Sequence, residues 1–166
     1  MNGRRTDDAS SGGLSCALAA TRRTARLMTQ FYDACLSGAG IEAAQFALLL
    51  ALDTAKDKGQ AALGQMLGMD KTTLSRNLKV LREKGWVESV AGKDARRRCV
   101  SLTAEGRVRL REAKPAWRRA GERFREGMTE REWAAMWSSL ETMTRAVARA
   151  GGTKGRLALS RVLRDR

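Results

Sequence analysis

Residues 60–102 read QAALGQMLGMDKTTLSRNLKVLREKGWVESVAGKDARRRCVSL, in which two helical patterns are followed by strand alternation. The first pattern indicates a short helix that ends in a tight turn at Gly68. Asp70 follows this turn, and its carboxylate can cap a second helix by accepting from the free amides of Thr72 or Thr73. The spacing therefore predicts a helix-turn-helix unit. Its second helix turns three leucines inward: Leu74, Leu78 and Leu81.

The pattern changes after Gly85, which ends the second helix of this unit. Residues 86–90 and 99–102 predict two short strands, and residues 91–98 join them with a run of three arginines. A helix, a turn, an amphipathic helix and a basic hairpin in this order place one helix in a major groove and the hairpin in the neighbouring minor groove. The predicted fold class is mainly α with a small β-hairpin wing, that is, a winged helix-turn-helix.

Two helices are predicted before this unit. The first begins near Leu14, spans about six turns at 3.6 residues per turn, and ends at residues 37–40. The second covers residues 42–54. The first carries an apolar seam of the kind that a helix buries against a partner. Its members are Leu14, Leu18, Thr21, Ala25, Met28, Tyr32 and Cys35.

Two long helices are predicted after the hairpin. Thr103 opens the first of them, which runs to about Glu126 with a kink at Pro115. The last helix covers residues 130–149 and carries a second apolar stripe, which we interpret as the core of a dimer interface. The stripe consists of Trp133, Met136, Trp137, Leu140, Met143 and Val147.

These elements predict a single winged-helix domain over residues 14–150, with a helical dimerisation region. The DNA-binding part covers about 41–104, the dimerisation helices about 14–36 and 104–149, a flexible arm residues 1–13, and a basic tail residues 151–166.

Predicted contacts to DNA lie on the polar face of the recognition helix and on the hairpin. The hydroxyls among them are also common as helix caps, and strand alternation can direct Arg97 or Arg98 away from DNA. Arg76 suits bidentate contact to guanine, whereas Lys79 suits a phosphate. The full set is Lys71, Thr72, Thr73, Ser75, Arg76, Lys79, Lys93, Asp94, Arg96, Arg97 and Arg98.

Three segments together resemble the MarR family of transcription regulators. They read LGQMLGMDKTTLSR at residues 63–76, LREKGWV at 81–87 and DARRRCVSLTAEG at 94–106. The resemblance implies a triangular homodimer in which Arg96 enters the minor groove and Asp94 orients it. The sequence departs from the family pattern at Gly64, where alanine is usual, and at Glu42, which replaces a hydroxyl or Asp cap.

Composition and charge limit the classes of function that the sequence predicts. The net charge of +14 and a pI near 10.9 predict an anionic partner, and double-stranded DNA fits the motif. Histidine is absent and the carboxylates are not clustered, so we predict no enzyme, no metal site and no cofactor. No apolar run reaches the roughly 18 residues of a membrane span, and residues 1–13 are polar, so we predict a cytoplasmic protein without a membrane partner.

The regulatory signal is open at this point. The family resemblance implies a repressor that binds a pseudo-palindromic operator and is released by a small aromatic or lipophilic ligand, in a pocket between the first, second and fifth helices. Alternatives are an oxidant-sensing repressor that uses Cys16 and an architectural protein that coats DNA with little sequence preference. The candidate pocket residues are Phe31, Tyr32, Phe46 and Leu50.

Overall fold

The computed structural model describes residues 16–54, 59–91 and 98–150. Within these ranges the chain is mainly helical with one antiparallel hairpin, so the predicted fold class is confirmed. The predicted arm, the predicted tail and Leu14 lie outside the described residues. The elements are α1 (Ala17–Leu36), a 3-10 turn (Ser37–Ala39), α2 (Ala43–Thr54), α3 (Gln60–Leu67), α4 (Lys71–Glu83), β1 (Val87–Ala91), β2 (Arg98–Leu102), α5 (Ala104–Glu126) and α6 (Glu130–Arg149).

The core lies where α2, α4, the hairpin and α5 meet. Helix α2 is buried on most of its surface, and Phe46 and Leu49 are almost fully enclosed. The three leucines that the sequence turned inward on α4 are 3%, 0% and 0% exposed, so that orientation is confirmed. Burying each such side chain contributes about 1.5 to 3 kcal/mol, which fixes the face of α4 that is left to solvent.

Helix α2 is capped from a distance. The Oδ1 atom of Asp33, on α1, accepts from the backbone N–H of Ala43 at 2.6 Å. This bond satisfies one of the amides that the start of a helix leaves free, at the position where the sequence offered only Glu42. The cap therefore joins α1 directly to the start of α2.

Helix α5 connects the hairpin to α6. It continues through Pro115, at which the sequence predicted a kink. The Trp117 ring on α5 lies between the rings of Tyr32 and Phe46, with centroid distances of 4.5 Å to each. Burial raises the pKa of Tyr32, and the charge of Cys35 adds to the effect. Helices α1, α2 and α5 thus share one aromatic cluster.

Helix α6 begins with a capping box but buries no residue fully. In the described ranges, no single helix is long and apolar enough to cross a membrane; α1 with its 3-10 turn and α2 pass such a test only as a pair, bent by 79°. Large apolar side chains stay exposed on α6 and α1: Leu140, Met143, Val147, Leu18 and Leu27.

Candidate nucleic-acid interface

Asp70 caps the recognition helix α4 as the sequence predicted. Its Oδ1 accepts from the N–H of Thr73 at 2.8 Å, and the Thr73 hydroxyl donates to Oδ2 at 2.7 Å. The backbone N–H of Thr73, followed by its hydroxyl, holds the pKa of the Asp70 carboxyl below its ordinary value. The hydroxyl proton of Thr73 is thus engaged by the cap, while Thr72 donates no side-chain bond among the described residues.

The outer face of α4 carries the predicted recognition residues together. Arg76 is exposed and forms no ion pair within the described ranges. Lys79 lies 3.7 Å from Glu83, but both side chains are more than half exposed, and such surface pairs contribute little. Both cations are therefore open to solvent, and their contact with DNA stays a prediction. Exposed residues on this helix include Lys71, Thr72, Thr73, Ser75, Arg76 and Lys79.

Val80 was missed by the sequence analysis. Its side chain is 41% exposed, four residues after Arg76 and therefore on the same face of α4. An apolar side chain there suits contact with a thymine methyl group. The sequence does contain a signal for this exposure, because the position of Val80 lies outside the stripe formed by the buried leucines.

The turn between α3 and α4 depends on Gly64. The Met69 N–H donates to the Gly64 carbonyl at 2.8 Å, and Gly68 adopts a left-handed φ of 64°. A Cβ on Gly64 would lie 2.9 Å from the Met69 carbonyl oxygen, closer than real Cβ contacts. The turn after α3 thus lies closer to Gly64 than the Cβ of the usual alanine would allow, which explains the departure noted in the sequence.

The base of the hairpin is held by Thr103. Its hydroxyl donates to the Gly85 carbonyl at 2.7 Å, and its N–H donates to the Trp86 carbonyl at 3.1 Å. The same hydroxyl accepts from the N–H of Gly106 at 3.0 Å and so caps α5. One threonine therefore fixes the end of α4, the start of β1 and the start of α5 relative to each other.

Strand pairing determines where the hairpin tip begins. The register runs from Val87 opposite Leu102 to Ala91 opposite Arg98. Four predicted contacts, Lys93, Asp94, Arg96 and Arg97, lie outside the described residues, as does the side chain of Arg98. Their contact with DNA stays a prediction.

Comparison with known proteins agrees with this geometry. Residues 39–98 match the sequence model described as the MarR family. The crystal structure of the M. tuberculosis transcriptional regulator MosR in complex with DNA is 32% identical; the match covers 81% of this chain and 98% of that one, with a TM-score of 0.73. The chain belongs to the MarR family. It is a DNA-binding transcription regulator.

Two further relatives of this MarR-family chain are similar over shorter or more divergent stretches. The transcriptional repressor CouR, bound to a 23-mer DNA duplex, is 26% identical, with coverage of 81% of this chain and 96% of that one and a TM-score of 0.69. The HTH-type transcriptional regulator YwoH of Bacillus subtilis is 30% identical over 90 residues, or 54% of this chain. That alignment spans 66% of the length of YwoH, just under two thirds.

The ligand-pocket residues proposed for this MarR-family chain lie in or beside the core. Phe46 and Leu50 are 1% and 6% exposed, whereas Phe31 and Tyr32 are half-buried and contact each other edge to face. Trp117, which stacks on Phe46, was missed by the sequence analysis. The sequence signal for its burial is helical spacing, because Trp117 follows Leu110 and Ala113 on the same side of α5.

The cysteines of the MarR-family chain differ in environment. Cys16 is exposed at the N-cap of α1. Its proposed redox role stays a prediction. Cys99 is buried in β2. Cys35 is half-buried, and its Sγ accepts from the Arg123 guanidinium at 3.8 Å. The described residues hold no group of three or more carboxylates and thiols arranged to bind a metal.

Proposed function

We propose that this regulator is a repressor that binds a pseudo-palindromic operator as a homodimer. The observation that carries the proposal is the outer face of α4, where Arg76 is exposed and unpaired within the described ranges while the opposite face is buried in the core. Charge supports it, because 17 basic and 7 acidic residues lie between Lys71 and Glu126. Crystal structures of two relatives contain bound DNA: MosR, which is 32% identical, and CouR, which is 26% identical and is named a repressor.

A binding titration tests this function. Operator duplexes selected from a random pool and scrambled duplexes of equal length are compared at physiological salt. A specific repressor should prefer the operator by at least ~10³. An architectural protein, which the net charge of +14 also favours, should bind both duplexes about equally.

Arg76→Ala should weaken operator binding by roughly 1 to 3 kcal/mol and affect scrambled DNA much less, because a guanidinium that reads guanine discriminates between sequences. Lys79→Ala is the matched control, since loss of a phosphate contact weakens binding to both duplexes about equally. Fluorescence anisotropy on the two duplexes gives the ratio. If Arg76→Ala weakens both duplexes equally, α4 does not read the bases.

The homodimer explains the surface of α6. This helix has no fully buried residue, yet Leu140, Met143 and Val147 are 39%, 41% and 52% exposed along one stripe. A contiguous apolar stripe of this kind on a solvent-exposed surface marks an interaction site. A second copy of the chain would cover this stripe.

A double substitution of Met143 and Val147 by glutamate should convert the dimer to monomer, because two charges would be buried in the interface. Sedimentation velocity at micromolar concentration measures the change. Ser138→Glu, an exposed position on the opposite side of α6, is the control and should stay dimeric. A stable folded monomer of the parent chain would contradict the proposed dimer.

A further inference from the structure

An arginine in the last turn of α5 reaches across the α5–α6 turn, residues 127–129. The Nη1 atom of Arg125 donates to the carbonyl oxygen of Met128 at 2.9 Å, and its Nη2 atom donates to Glu130. The guanidinium also lies over the Trp133 ring, with its central carbon 5.2 Å from the ring centroid. Arg125 therefore contacts the turn, the first residue of α6 and the first aromatic ring of that helix.

The bonds to Met128 and the ring contact are the main parts of this attachment. Glu130 is 90% exposed, so its ion pair with Arg125 is screened by water and contributes little. Met128 is bonded to Arg125 twice, because its own N–H also donates to the Arg125 carbonyl at 3.0 Å. A guanidinium suits this position, since its in-plane N–H groups donate while its flat face lies on a ring.

The direction of α6 depends on this attachment to α5. In the described ranges no residue of α6 is fully buried, so packing against the rest of the chain fixes its direction only weakly. The capping box joins Thr129 to Glu132 and stabilises the first turn of α6 without reaching α5. Phe124 of α5 contacts Trp133 edge to face, with 6.1 Å between the ring centroids. The contacts between the end of α5 and the start of α6 thus meet at Trp133, on which Arg125 lies.

A small change of angle at the start of α6 has a large effect at its end. The helix contains 20 residues and is therefore about 30 Å long. A tilt of about 10° at its start would move its end by about 5 Å. This displacement exceeds the rise of one base pair of DNA, which is about 3.4 Å. The apolar stripe proposed as the dimer surface lies toward this end: Leu140, Met143 and Val147.

We propose that Arg125 is a positioning residue for operator recognition. It sets the angle between α5 and α6, and thereby the distance between the two copies of α4 in the dimer. The inference rests on the proposed homodimer, because only paired chains have such a distance. This distance must match the separation of the two half-sites on DNA. Arg125 thus limits the operator to one half-site spacing without contacting DNA itself.

Arg125→Lys tests the proposal at constant charge. A lysine ammonium can donate to the Met128 carbonyl, but it has no flat face to lie on the Trp133 ring at the same time. Fluorescence anisotropy gives the Kd for the operator at its own half-site spacing and with one central base pair inserted or removed. One base pair rotates a half-site by about 35°, so the parent chain should prefer its own spacing at least about tenfold. In Arg125→Lys this preference should fall at least about threefold, because the angle of α6 is no longer fixed.

Arg131→Lys is the matched control. Arg131 is exposed in the first turn of α6, and its side chain forms no ion pair or hydrogen bond with the other described residues. This variant should keep the spacing preference of the parent chain. A duplex with a single half-site separates positioning from DNA contact, since Arg125→Lys should bind it as tightly as the parent does. Sedimentation velocity at the concentration of the titrations measures whether each variant is dimeric.

The outcomes distinguish this inference from the proposed function. An unchanged spacing preference in Arg125→Lys, equal weakening on every duplex, a monomeric Arg125→Lys chain or the same loss of preference in Arg131→Lys overturns the inference, while the repressor function stands. If the parent chain prefers no spacing, the proposed homodimeric repressor fails and the inference falls with it. A spacing preference that the parent shows and only Arg125→Lys loses supports both.

Discussion

Replacement of Gly106 by alanine is expected to destabilise the folded chain by about 3 kcal/mol. A Cβ at this position would lie 2.0 Å from the carbonyl oxygen of Trp86 and 2.9 Å from its carbonyl carbon. These are backbone atoms, so no side-chain rotation relieves the overlap. A glycine-to-alanine change inside a helix ordinarily stabilises by about 0.5 to 1 kcal/mol, so the sign of the effect is itself diagnostic.

Neither partner of the overlap can move freely. The Trp86 N–H donates to the Leu81 carbonyl at 2.9 Å, and the Trp86 carbonyl accepts from Thr103. A shift of α5 would break the Thr103 bonds that hold the base of the hairpin. The Gly106→Ala chain is therefore expected to lose DNA binding together with stability.

Urea denaturation measures the free energy of unfolding for both chains. Gly127→Ala is the matched control: it lies at the other end of α5, where the nearest atom to a Cβ is 3.5 Å away, and should change stability little. A Gly106→Ala chain as stable as the parent would contradict the geometry at the base of the hairpin.

Insertion of five base pairs at the centre of the operator is expected to abolish tight binding, with a loss of about 10³ in affinity. Two symmetric copies of α4 require half-sites about one helical turn apart. Half a turn of additional DNA rotates one half-site to the opposite face of the duplex, where the second α4 cannot reach it. Only non-specific and single half-site contacts then remain.

Anisotropy titrations on three duplexes decide this prediction. They carry the parent operator, the operator with five inserted base pairs, and an operator in which the five central base pairs are exchanged at constant length. The last should retain most of the affinity, because its half-sites keep their spacing. Tight binding to the inserted duplex would contradict a rigid two-fold dimer.

Local pattern alone was sufficient for most of the fold. The leucine stripe of α4, the Asp70 cap and the change of period after Gly85 are each visible within a few residues, because helix capping and amphipathic spacing are local effects. They predicted the element order and the outward face of α4. The same spacing also places Val80 on the outward face.

Contacts between distant residues depended on the tertiary structure. Asp33 caps α2 across ten residues, and Trp117 joins Tyr32 and Phe46 from the other half of the chain. A cavity beside Cys35 likewise combines the α1–α2 connection with α5. No periodicity within one element encodes such a pairing, because it depends on how two helices cross.

The amino-acid sequence thus determined the class of fold, the reading helix and the sign of the partner's charge, since spacing and charge are properties of the chain whatever its packing. The tertiary structure decided why Gly64 and Gly106 must be glycine and where Cys35 lies. Each of these depends on distances between backbones that only packing sets. The 2.0 Å distance between a Cβ on Gly106 and the Trp86 carbonyl oxygen has no counterpart in the linear pattern, which shows only a glycine near the start of a helix.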